Sequence, residues 1–137
     1  MYVFAGIDVH SKRYFNSIER LDTSYNTDAP GKWEVIQDLA PQFTIRQGQC
    51  SHQINKNEIV VFGGFGGDFL DDVFTFNHSE GTMRREERDA PQKIFTYQMP
   101  TLYDEVKKHV LTVDWKTQKT LLYQEDKPWT ALRQLDQ

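Results

Sequence analysis

The 137-residue chain has one cysteine, Cys50. No intrachain disulfide can form, which points to a reducing compartment. No apolar run approaches the roughly 18–20 residues of a membrane-spanning helix. The opening MYVFAGID has neither a basic stretch nor a cleavage pattern, so no signal peptide is expected. A sustained 3.6-residue apolar period is also missing, and with it the main signature of an amphipathic helix. Positive charge is in deficit: 16 Lys and Arg against 20 Asp and Glu leave a net charge of −4. Nucleic acid and anionic membrane are therefore disfavoured as partners. The basic pair Arg84–Arg85 is followed at once by Glu86 and Glu87, as on a solvated strand face.

What the chain has in abundance is aromatic side chains: nine Phe, six Tyr and three Trp. They suit an all-β chain, whose strands pack large rings. The apolar runs YVFAGI, SIERL, WEVI, EIVVF, DVFTF, HVLTV and TLLY are short, rich in β-formers, and bounded by Gly, Asn, Asp or Lys. Asn55-Lys56-Asn57 reads as a tight hairpin turn, because Asn tolerates positive φ. Cys50, inside the strand-like QGQCSHQIN, reads as a small core residue rather than a reactive thiol.

Internal repetition organises these strands. YVFAGID (2–8) aligns with VVFGGFG (60–66) at an offset of 58, placing Ala5-Gly6 on Gly63-Gly64. Ile18 falls on Val73 at an offset of 55, and Trp33 falls on Met83 at an offset of 50. A third copy follows: KNEIVVFGG aligns with KKHVLTVDW at an offset of 51, and TLLYQ takes the place of DVFTFN. Trp129 lies 96 residues after Trp33, two periods averaging 48. Offsets shrink only in the connections, where length variation is cheap. A period of about 40–50 residues is that of a propeller blade.

The order IVVFGG, DVFTFN, then the Trp slot resembles the Kelch-repeat family. Copy one has YVFAG, IERLD and Trp33. Copy three keeps HVLTVD, LLY and Trp129 but replaces the two glycines by Asp114 and Trp115. PQFTIRQGQCSHQI resembles the Kelch first strand, with Arg46 where the family often carries arginine. The resemblance implies a Kelch-type β-propeller of about three four-stranded antiparallel blades, near 1–37, 42–88 and 93–133. Strands are predicted at 2–6, 17–22, 33–37, 49–54, 58–63, 71–77, 82–87, 99–104, 109–114, 119–124 and 129–132. Gly6, Gly63 and Gly64 are expected to turn the backbone where a strand leaves the channel end. Trp33, Phe76 and Trp129 are expected to fill the space between blades, each contributing roughly 1.5–3 kcal/mol.

Copy one lacks its innermost strand, and three blades are fewer than the typical four to eight or so of a closed ring. Such a pile exposes a sheet edge and an apolar face. The chain is expected to be a piece of a longer propeller, to be closed by a second copy or another chain, or to lean on a large partner. Completion by another polypeptide is the favoured expectation.

Chemistry is sparse. GGFGG lacks the Lys and hydroxyl of a phosphate loop, and it runs into a strand rather than a helix. His10, His52, His78 and His109 have no ligand spacing, and Asp68, Asp71 and Asp72 lack a glycine-bearing calcium loop. No nucleophile motif is readable. Some Kelch-like propellers are copper oxidases with a Tyr–Cys link, a pattern that Cys50 and the tyrosines here do not reproduce. No metal or cofactor is expected.

The remaining expectation is a non-catalytic scaffold for protein–protein interaction, in the cytoplasm and by resemblance in cytoskeletal or ciliary settings. Part of an enzymatic propeller is the alternative. Candidate contact residues are Arg13, Tyr14 and Phe15 in the long connection 8–16, Phe65 and Phe69 in its shorter counterpart, and Arg46. Arg46's other possible role is to satisfy local carbonyls.

Overall fold

The computed structural model describes residues 1–23, 31–36, 42–87, 89–90, 92–94, 101–114, 119–124 and 130–131. Among them the chain is all-β, without a helix, and forms three antiparallel sheets. The first sheet contains β1 (Tyr2–Asp8), β2 (Arg13–Leu21) and β3 (Trp33–Ile36). The second contains β4 (Cys50–Gln53), β5 (Glu58–Phe62), β6 (Val73–Asn77) and β7 (Thr82–Arg85). The third contains β8 (Leu102–Asp104), β9 (His109–Val113), β10 (Thr120–Gln124) and β11 (Thr130–Ala131). Each is a meander whose consecutive strands pair, and none closes on itself. All eleven predicted strands have counterparts within a few residues, and no helix among the described residues is long and apolar enough to cross a membrane.

Side chains alternate across each strand, so every sheet has two faces. The second sheet buries both. Toward the first sheet it presents Val61, Phe74 and Phe76, which join Phe4, Ile18 and Phe43 in one core. Toward the third it presents Cys50, Val60, Phe62 and Val73, which join Val110, Leu121 and Tyr123 in another. Its two central strands, β5 and β6, read as nearly continuous apolar runs for this reason. Phe76 sits edge-on to Tyr2 and Phe4, with centroids 5.6 and 5.7 Å away, and so lies between the first two sheets.

Trp33 departs from expectation. It lies on the first sheet's outward face, 46% exposed, because no described sheet packs there. Its repeat partner Met83 is packed against the core between the first two sheets. Trp129 lies outside the described residues.

Two local readings are corrected. Arg13, Tyr14 and Phe15 are the first residues of β2, not members of a long loop. The connection is the turn Val9–Lys12, in which Lys12 takes the positive φ of 55°, and Asp8 Oδ1 accepts the His10 amide at 2.9 Å. At 55–57 the turn uses no positive φ. Instead Asn55 Oδ1 accepts the Asn57 and Glu58 amides, both at 2.9 Å, an Asx arrangement.

Candidate functional site

The repeat shows itself in backbone angles. Gly63 and Gly64 have φ of 65° and 102°, and Ala5 and Gly6 have 50° and 127°. In the second copy the chain leaves β5 through these two successive left-handed residues, whereas in the first the matching pair is a bulge inside β1, which stays paired with β2 as far as Asp8, so Gly6 does not end its strand as expected. At Gly63 a Cβ would come 2.5 Å from the Ile94 carbonyl oxygen, so glycine is required there by space as well as by angle. The same loop cannot cradle phosphate at its first four amides. Gly63 N donates to Asp72 O, Gly64 N to Ile94 O, Phe65 N to Gln47 O and Gly66 N to Asp68 O.

Arg46 anchors this region and is fully buried. Its planar fork has five N–H donors, and all are used. Nε donates to Thr44 O at 3.1 Å, and Nη1 to Gly63 O at 3.1 Å and Asp72 Oδ1 at 2.6 Å. Nη2 donates to Asp72 Oδ2 at 2.9 Å and Thr44 Oγ1 at 3.4 Å. The guanidinium also lies over Phe43 and Phe74, 4.4 and 5.2 Å from the ring centroids, within cation–π range. A residue so enclosed has no surface for a partner. Arg46 is therefore assigned a structural role: it ties the 43–49 segment to the end of the second sheet.

That segment draws the remaining candidates together. Arg46 N donates to Phe15 O, Gly6 N donates to Arg46 O, and Gln47 exchanges both backbone hydrogen bonds with Phe65. Gln47 Nε2 also donates to Tyr14 Oη at 3.4 Å. Phe65 and Phe69 pair edge-on at 5.3 Å, and Arg13 lies 5.5 Å over the Phe15 ring. Arg13 and Phe15 are exposed, while Tyr14, Phe65 and Phe69 are partly exposed. Five candidates that sequence offered as separate groups thus share one end of the first two sheets. Gln47, the link between them, was not singled out. It has no sequence signal, since its role depends on the 43–49 segment crossing from one sheet to the other.

The acidic cluster is dispersed into pairs. Asp72 holds Arg46. Asp68 holds Lys93 at 2.7 Å, and this hydrogen bond keeps its carboxyl below the usual range. Among the described residues no group of three His, Cys, Asp or Glu is arranged to hold a metal. Arg84 pairs with Glu58 and Glu86, and Arg85 with Asp89.

Cys50 is buried, with Sγ 3.2 Å from Thr101 Oγ1. Burial pushes its thiol up to about 12 from an ordinary 9.0. Only the thiolate reacts readily, so thiol reagents should leave native protein unmodified at neutral pH and label it once unfolded. Because the folded-state pKa is the higher one, this contribution to stability is complete below about 9 and declines as pH rises toward about 12. Cys50→Ala should flatten that alkaline loss in denaturation curves. An unchanged slope would assign it to other groups.

No protein-family model matches the chain, and no curated protein matches it.

Proposed function

We propose that the chain is a piece of a Kelch-type β-propeller, acting in the cytoplasm as a non-catalytic scaffold that binds another protein. The observation carrying this reading is the convergence of Arg13, Tyr14, Phe15, Phe65 and Phe69 at one end of two packed sheets, around the anchored 45–47 segment. Aromatic and arginine side chains are the preferred anchors of protein interfaces, and a stiff sheet framework limits the ordering cost of using them. Repetition of the strand–glycine–strand pattern with matching left-handed angles supports the propeller reading. The cytoskeletal or ciliary setting rests on the family resemblance alone.

The test has two arms. Elemental analysis of purified protein should find no stoichiometric metal; one bound copper or calcium per chain would overturn the non-catalytic reading. A photo-crosslinking residue at Phe15 or Phe69 should give the same protein adduct in cells, absent when the residue is placed at Gly81, a turn elsewhere in the second sheet. Equal adducts at all three sites, or none at any, would remove the proposed surface.

A further inference from the structure

We infer that two copies of this chain pack head to tail, the outward face of the first sheet against the outward face of the third. The stack already contains this contact twice. In each case one sheet's far face receives the next sheet's near face, and the near faces occupy the same repeat positions, with Glu19 on the first sheet where the second has Phe74. The second sheet's near face has two cross-strand rows, Ile59–Phe76–Met83 and Val61–Phe74–Arg85. Their apolar members, Ile59, Phe76, Met83, Val61 and Phe74, all pack into the core shared with the first sheet.

Shifted back by the repeat offsets of 58, 55 and 50, these rows become Met1–Leu21–Trp33 and Val3–Glu19–Val35. Those are the observed rows of the first sheet's outward face. Leu21 pairs with Trp33, Val3 with Glu19, and Glu19 with Val35. Met1 exchanges backbone hydrogen bonds with Leu21. The first sheet therefore carries a near face already in register, with Met1, Val3, Trp33 and Val35 all exposed.

The opposite end has the complementary half. Leu102, Leu111 and Leu122 lie side by side across β8, β9 and β10. Leu111 occupies the repeat position of Val60, which faces the third sheet from the second. Leu102 is 64% exposed and Val35 is 68% exposed. Among the described residues the stack thus presents one half of this contact on each outward face, and a second copy can supply the partner of both. Head-to-tail contacts form closed rings or open filaments. On the propeller reading, from which this step takes its ring size, typical rings have about four to eight blades. With the three sheets of the described residues in each chain, two copies are the only whole number within that range.

Light scattering of the 137-residue chain should report about twice its 16.1 kDa mass. Val35→Asp and Leu102→Lys change exposed residues on opposite ends, so each variant should keep its β-sheet circular dichroism while falling to the single-chain mass. Mixing the two variants should restore the two-chain mass, because one undamaged contact remains between them. A wild-type mass of one chain at all concentrations would overturn the inference. So would dissociation by only one of the variants, which would indicate like faces meeting, or a mass that rises without limit, which would indicate a filament. None of these failures would produce a bound metal or abolish the Phe15 adduct, so the scaffold reading is tested separately.

Discussion

Replacing Arg46 by alanine is expected to destabilise the protein by about 3 kcal/mol or more. Breaking a buried ion pair by removing one partner typically costs about 3–5 kcal/mol, because the other charge is left without compensation. Asp72 retains 15% exposure, which favours the lower end of that range. The alanine also abandons the carbonyls of Thr44 and Gly63 and the faces of Phe43 and Phe74. Against a total stability of roughly 5–15 kcal/mol for a domain, the loss should show as a large drop in the urea midpoint. Arg46→Met combined with Asp72→Leu should recover more than half of it, since a well-packed apolar pair often replaces a buried ion pair without net cost. A single-variant loss below about 1 kcal/mol would mean that the pair is solvated in solution and does not anchor the 43–49 segment.

Phe76→Ala should have a comparable effect, about 3–5 kcal/mol, the usual cost of truncating a fully buried phenylalanine. The ring lies between two sheets, and its removal leaves Tyr2 and Phe4 facing a cavity. Leu21 occupies the same repeat position on the first sheet, where no described sheet covers it. Leu21→Ala should therefore cost about 1 kcal/mol or less when the chain is monomeric, in line with weaker burial. Chemical denaturation of both variants at low protein concentration makes the comparison. Equal losses would show that the two positions are buried alike and that the stack does not end where the structure ends it.

The strands were legible because short β-rich runs alternate with turn residues, and because repetition fixed which run corresponds to which. The offsets 58, 55 and 50 match the register of the first two sheets row for row. The start of β2 was not legible, since Ser11-Lys12-Arg13 is polar and hides the point at which pairing begins. Trp33 was assigned to a space between sheets, but no described sheet packs on its face; a repeat pattern specifies a face and not what covers that face. Arg46 was noticed by resemblance, yet its partner Asp72 lies 26 residues away and was grouped with its acidic neighbours. Only the fold brings the two together. The shared location of Tyr14, Phe65 and Phe69 was hidden for the same reason, because it depends on Gln47 crossing between sheets.

Amide hydrogen exchange resolved by residue tests the stacked arrangement most directly. Central strands packed on both faces should open only with global unfolding, whereas an exposed face and edge should open locally. The amides of β5 and β6 bonded within the second sheet are expected to exchange most slowly, at the global rate. Those of β1 and β3 in the first sheet should exchange faster by an order of magnitude or more. Uniform protection across the three sheets, or slowest exchange in the first sheet, would contradict a middle sheet held between two others.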